Sequence, residues 1–265
     1  MSTEIGRRWR WLGVEFFVIA LGVLAALFVD TWVEERDNAE RAEVYRQRLV
    51  IDLERDIRNL DAVIEYYNGI RNYALMLLAD LEGEQPLDDF TLLYAAFNAA
   101  EEWRFILESS TYNDLQSTGG LALIDDVSLR IDLADYHRVG ETREVAWNLS
   151  RDYREVARGI IPNPLQTAIH ASCNSNLNST GTSPGESDSN AHFPASIEPL
   201  TSSATAEGVC GLNPGDFVLE KAAAELRADT RIPYLLRYRI SQLRVAAALF
   251  AGQRQLAERL LERLR

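Results

Sequence analysis

The stretch WLGVEFFVIALGVLAALFV, from Trp11 to Val29, holds one ionisable residue, Glu15, in nineteen positions, and apolar character resumes at Trp32 and Val33. A helix of that length, rising ~1.5 Å per residue, crosses the ~30 Å of a bilayer's hydrocarbon core. The expected element is therefore a transmembrane helix over residues 11–33, preceded by a short tail of residues 1–10. Arg7, Arg8 and Arg10 stand before it against a single Glu4, whereas Asp30, Glu34, Glu35 and Asp37 follow it. That asymmetry places the tail in the cytoplasm and exports the rest. Trp11 and Trp32 fall near the two ends, where an indole sits at headgroup level with its N–H hydrated. A cleaved secretory signal is the competing reading, since such signals also begin with basic residues and an apolar stretch. The run is long for that role and no A-x-A site closes it. Either reading exports the remainder.

Three positions inside the span are candidates for more than anchoring. Glu15 lies one turn from the cytoplasmic boundary, where an acid either reaches back to the headgroups beside Arg10 or hydrogen-bonds a neighbouring helix. Gly22 and Ala26 are four apart, the spacing at which small residues let two helix backbones approach. Glu15, Gly22 and Val29 recur every seven residues and so share a face. Glu15, Gly22 and Ala26 are accordingly the candidate packing positions. The expected partners are the lipid bilayer and, through this helix and the one that continues from it, other membrane proteins or a second copy of the chain.

The chain carries a net charge of -13, and its basic tail makes the remainder more acidic still. That balance argues against nucleic acid as a partner. The two cysteines, Cys173 and Cys210, lie in the exported part and bracket its least regular stretch. In an oxidising compartment a disulfide closing that loop is expected.

Beyond the span, Leu49, Leu53, Ile57, Leu60, Ile64, Tyr67, Ala74, Leu78 and Leu81 recur in steps of three and four, the mark of one long amphipathic helix. Its other face between Glu34 and Asp61 is densely and alternately charged and reads as a solvated or coiled-coil face. A bend is expected near Asn68–Gly69. Asp88 or Asp89 caps a shorter helix, Thr111 with Asp114 forms a loose capping box, and Gly119–Gly120 is a helix stop. A further helix is expected from Asp125 or Asp126 to about Ile160, ended by Pro162 and Pro164. Residues 171–213 turn to Ser, Asn, Thr, Gly and Pro and read as a long loop without a core of its own. Order returns over Asp216–Ala228 and Ile232–Leu264. No strand pattern occurs, so the fold class is all-α. A transmembrane helix continues into a long amphipathic helix, residues 34–170 form a periplasmic helical domain, residues 171–213 an inserted loop, and residues 214–265 complete the bundle.

Chemistry has little foothold. No P-loop, dinucleotide fingerprint or HExxH motif is present, and His137, His170 and His192 are scattered. GTSPG, residues 181–185, matches GxSxG in letters but lacks the strand before and the helix after that a nucleophile elbow requires. His170, Cys173, His192 and Cys210 are plausible zinc-ligand types, against which the disulfide is the stronger reading. No metal, cofactor or catalytic residue is expected. The densest polar and aromatic grouping joins Glu101, Glu102, Glu108, Trp103 and Tyr112 to Arg130, Tyr136, His137 and Arg138. Trp103, Tyr112, Arg130, Tyr136 and His137 are the candidate lining of a ligand pocket; the competing reading gives this grouping to caps and ion pairs that fix a turn.

The segment GVEFFVIALGVLAALFVDTWVEERDNAERAEVYRQRLVIDLERDI resembles the opening of a bacterial single-pass membrane protein family named only as domain of unknown function 6090. Gly13, Glu15, Gly22, Trp32, Glu34, Glu35 and Arg36 match its pattern, although the family's adjacent Gly-Glu is split here by Val14. Ser110–Thr111–Tyr112, Leu115, Ser117, Gly119, Leu121, Ile124, Leu129–Arg130, Leu133 and Tyr136 are similar to its central motif. The resemblance covers roughly the first 160 residues and the last helix. It implies the topology and no activity, cofactor or partner. The expected protein sits in a bacterial inner membrane, N-terminus in the cytoplasm, with a periplasmic helical domain serving as an interaction or assembly module, an accessory subunit of a larger membrane complex. The alternative is a periplasmic sensor of a small ligand that signals through a partner's transmembrane helix.

Overall fold

The computed structural model describes residues 3–102, 107–146, 151–173 and 211–265, with side chains at 17, 19–102, 107–138, 151–172 and 211–265. The described residues form eight α-helices and no strand, which bears out the all-α class. The first, α1 (Thr3–Leu81), is 79 residues long, roughly 120 Å at the helical rise. Its partner along a little under the upper half is α8 (Arg231–Leu264). The pair is antiparallel: Glu82 meets Arg237, Asp61 meets Arg254 and Glu54 meets Arg265. Arg46 Nη1 closes the register by donating to the Leu264 carbonyl, one of the unsatisfied oxygens at the end of α8. These pairs are exposed and worth little each; the apolar seam between the helices supplies the energy.

Six shorter helices pack on that pair at two heights. Near the α1 C-terminus lie α2 (Asp89–Ala99), α5 (Asp152–Ile160), α6 (Asn163–Cys173) and α7 (Glu220–Ala228). Their core includes Leu60, Tyr67, Ile70, Leu77, Leu92, Leu93, Phe97, Leu165, Leu226 and Leu236, all at most 2% exposed. Lower down, α3 (Ser110–Thr118) and α4 (Val127–Ala146) enclose a second core of Leu49, Leu53, Leu115, Leu133, Tyr136, Ala257 and Leu260. Below Leu49, the described side chains of α1, at 17 and 19–44, are largely exposed.

Several expectations hold. Asp88 caps α2, accepting from the Thr91 N–H at 3.0 Å, and Asp126 caps α4 through the Ser128 and Leu129 N–H groups. Gly119 ends α3 in the left-handed region at φ 73°. A Cβ there meets nothing within 4 Å, so Gly119→Ala pays only the conformational penalty, about 1 kcal/mol of unfolding free energy. Gly159, helical and equally open, gains instead: Gly159→Ala stabilises by roughly 0.5–1 kcal/mol. Urea midpoints of the two variants should move in opposite directions, and a common direction would refute the assignment of strain to Gly119.

Other expectations require correction. Helix α1 passes through Asn68–Gly69, the position of the expected bend, without a break and ends at Leu81. A glycine costs a helix only about 1 kcal/mol, and here Tyr66, Tyr67 and Ile70 are buried around it. The helix expected up to Ile160 is two helices, α4 and α5, of which α5 starts afresh at Asp152. The N-cap of α3 is Ser109 and not Thr111, which is buried inside the helix. Helix α6 carries order three residues into the expected loop; residues 174–210 of that loop lie outside the described residues. Among the described residues no helix is long and apolar enough to cross a membrane. The apolar run begins at Trp11, and its described side chains begin only at Phe17.

Candidate functional site

Five residues from three helices converge on the lower core, and the first two come from α1. Asp52 and Asp56 fall in phase with Leu49, Leu53 and Leu60, so the helix that buries the leucines also turns both acids inward. The expectation of a solvated or coiled-coil face does not hold at Asp56, which is 1% exposed within the protomer. One carboxylate oxygen accepts the Glu108 N–H at 2.9 Å, just ahead of α3, and the other accepts the Tyr136 hydroxyl of α4 at 2.8 Å. Burial pushes Asp56 up to about 7, against the pull of those two hydrogen bonds. Asp52 is raised as well, first by burial, with a hydrogen bond to Thr111 opposing.

His137 follows Tyr136 on α4 and completes the group. Its ring stacks on Tyr112 of α3, centroids 4.2 Å apart, and stands edge-on to Tyr136 at 5.1 Å. Burial alone drives it down to about 4, so the imidazole is neutral at ordinary pH. Among the described residues its Nδ1 has no hydrogen-bond partner. Gln253 of α8 donates to the Tyr136 carbonyl at 2.9 Å and ties α4 to the α1–α8 pair. Arg55 and Glu108, 3.3 Å apart, cover the group from outside.

A second polar group caps the C-terminal end of α2. Arg154 donates to the Ala100 carbonyl at 2.8 Å, and Arg239 donates to those of Ala99 at 3.2 Å and Glu101 at 2.6 Å. Tyr153 adds a hydroxyl on the Ala96 carbonyl at 3.1 Å. Arg158 pairs with Glu101 and lies 3.3 Å from the centre of the Phe97 ring. The free carbonyls and negative dipole end of α2 are thus met by cations from α5 and α8. Burial lowers both Arg158 and Arg239, partly countered by Glu101 and Glu102 respectively.

The structure joins three of the five candidate pocket residues: Tyr112, Tyr136 and His137 pack ring against ring. Arg130 is half-buried on α4, and Trp103 lies outside the described residues. Glu101, Glu102 and Glu108 serve ion pairs with Arg158, Arg239 and Arg55, as the cap-and-ion-pair reading expects. Of the candidate packing positions, Gly22 and Ala26 are exposed on α1, while the Glu15 side chain lies outside the described residues. So do the Cys173 side chain and Cys210, hence the expected disulfide, together with His192 and the GTSPG segment. His170 stands edge-on to Phe97, centroids 5.1 Å apart. Among the described residues no group of three or more His, Cys, Asp or Glu is placed to hold a metal ion.

Sequence reasoning did not single out Asp52, Asp56, Arg239 or Gln253. The signal was present: each falls on the apolar face, as Arg239 does between Ile232, Leu236 and Leu243. A polar residue in phase with a leucine stripe is buried and must find partners.

The model of a family described as of unknown function, DUF6090, matches residues 15–145. No curated protein and no solved structure matches the chain.

Proposed function

With DUF6090 running from residue 15 to residue 145 of this chain, we propose that the protein is a membrane-anchored helical interaction module, held by residues 11–33 and carrying its bundle on the periplasmic side. One observation carries the reading. Helix α1 continues without a break from the core at Leu49 down to an uncovered apolar stretch, where Phe17 and Leu24 are each 65% exposed and Phe28 74%. Phe17, Ile19, Leu21, Val23, Leu24, Leu27, Phe28, Val29, Trp32 and Val33 are all bare. A contiguous apolar surface of that size is covered by lipid or by protein. Hydrocarbon fits the length of the run, and the arginines before it orient it.

A rigid helix that is both anchor and domain spine holds the bundle at a fixed distance and azimuth above the membrane, which suits an assembly subunit. The buried polar groups are engaged in joining helices, and no catalytic step is assigned to them. The rival reading, a small-ligand sensor, would use the space around Tyr136; the mutual packing of Tyr112, Tyr136 and His137 weighs against it. The proposed localisation is the bacterial inner membrane, and the proposed loop closure is Cys173 to Cys210.

Cysteine labelling tests the topology. Asp37→Cys in intact spheroplasts should react with a membrane-impermeant maleimide, while Ser2→Cys should react only after lysis. The reverse pattern would overturn the orientation. In the native chain Cys173 should resist alkylation until reduced, and a freely reacting thiol would remove the disulfide. Extraction in mild detergent should bring the protein out with a companion chain; a lone monomer would count against the assembly role.

A further inference from the structure

We infer that α1 is also the pairing surface for a second copy of this chain, in a parallel two-fold contact running from Gly22 in the anchor to Ile51 in the domain. The inference rests on the proposed anchoring, because two copies held in one membrane with the same orientation present their α1 helices parallel and at the same height.

The face is continuous because the helix is. At 3.6 residues per turn, eighteen positions are five whole turns, so Glu15, Val33 and Ile51 lie directly above one another, as do Ala26 and Val44. Gly22 falls in the same line, eleven positions below Val33, which is itself eleven below Val44. Val33, Val44 and Ile51 are 45%, 45% and 53% exposed, on a helix whose opposite side is buried at Leu49 and Leu53. A Cβ at Gly22 meets nothing within 4 Å of its own chain. Its smallness therefore serves no described contact within the protomer. Eleven-residue spacing favours right-handed winding, the same hand that close small-residue packing produces in membranes.

Charge identifies the occupant as a second copy. One flank of this face carries Arg36 and Glu40, the other Asp37 and Arg41. A two-fold axis along the membrane normal sets each flank against the opposite flank of the other protomer. Glu40 then meets Arg41 of the second copy, and Arg36 meets its Asp37, each pair displaced by one residue in height. The ion pairs of this stretch within the chain, Glu43–Arg46 and Arg48–Asp114, leave those four side chains out. Beside Val44 an open cleft of about 760 Å³, between Asp37, Arg41 and Arg48 on one side and Thr118 to Leu123 on the other, gives the partner helix room to approach.

The test is disulfide cross-linking of the full chain in native membranes. Val44→Cys should form a dimer band several-fold stronger than the unmodified chain, whereas Ala39→Cys, exposed on another side of α1, should stay at that baseline. Glu40→Arg placed in the Val44→Cys chain should cut the yield several-fold, and adding Arg41→Glu should restore it. Equal bands from positions 39 and 44, a Val44→Cys adduct with a different protein, or no rescue by the double reversal would each overturn the pairing. If Val44→Cys is labelled from the periplasm and yet gives no dimer, pairing fails and the anchored module stands. Labelling of position 44 only from the cytoplasm overturns both.

Discussion

Arg239→Met should lower the unfolding free energy of the full chain in detergent by about 3–5 kcal/mol, the range for removing one partner from a buried charged network. The residue is 7% exposed and in phase with the buried Leu236 and Leu243 of α8, so methionine preserves the apolar stem and deletes only the guanidinium. Three interactions go with it: donation to the Ala99 and Glu101 carbonyls, and the approach of Nη1 to Glu102 at 3.6 Å. Among the described residues Glu102 then keeps only Arg151, 3.8 Å away. Arg237→Met is the control two positions earlier. Its own side chain is 59% exposed and that of its partner Glu82 33%, so the loss should stay below about 1 kcal/mol. Arg239→Lys should fall between, since an ammonium cannot serve two carbonyls and a carboxylate from one planar fork. Similar urea midpoints for the 237 and 239 variants would show that the end of α2 does not depend on its cap.

The same contrast explains how much of the fold could be read in advance. Helices α1, α2, α7 and α8 announce themselves by leucine spacing, by Asp88 as a cap and by the breaks on either side. The division between α4 and α5 does not, because Tyr136, Val145, Leu149 and Tyr153 keep helical phase straight through it. Local pattern carries no information about where a chain must turn to bring Tyr153 under α2, where its hydroxyl meets the Ala96 carbonyl. Helix α6 was hidden for a related reason. Pro164 reads as a stop, yet proline is equally at home in the first turn of a new helix, where its missing N–H would have had no partner.

The polar groups show a different limit. Glu101, Glu102, Glu108, Tyr112, Tyr136 and His137 stand out in the sequence as a cluster, and the structure does bring most of them into play. It distributes them between two places. Glu101 and Glu102 answer arginines from α5 and α8, whereas Glu108 and the rings answer Asp56 and Arg55 of α1. Partners so far away in the chain, 80 positions between Asp56 and Tyr136, cannot be paired from spacing. What spacing does reveal is that Asp52 and Asp56 point inward, and an inward acid implies either a ligand or a hydrogen-bonded junction. The Glu108 N–H and the Tyr136 hydroxyl make it a junction, fastening α3 and α4 to α1.

That junction should give the protein a pH response in which two buried groups oppose each other. Asp56, raised to about 7 from an ordinary 3.8, holds a proton in the folded state that the unfolded chain has released. Its contribution is full at low pH and is lost as pH climbs from about 4 to about 7. His137, lowered to about 4 from 6.5, does the reverse: the unfolded chain takes up a proton that the folded state refuses, and stability falls as pH drops through that window. One proton of difference is worth about 1.4 kcal/mol per pH unit, so between pH 4.5 and 6 the two slopes nearly cancel. Asp56→Asn removes one side of the balance while its side-chain oxygen still accepts the Glu108 N–H. Stability of that variant should rise relative to the unmodified chain as pH goes from 4.5 to 7, by an amount on the order of 2–3 kcal/mol. His137→Gln should show the opposite trend over the same range. Asp52 is raised first by its own burial, a cause that neither substitution removes. Urea midpoints at half-unit steps of pH read the two curves directly. A flat difference for Asp56→Asn would mean that this carboxyl stays ionised in the folded state and that Tyr136 and Glu108 outweigh its burial.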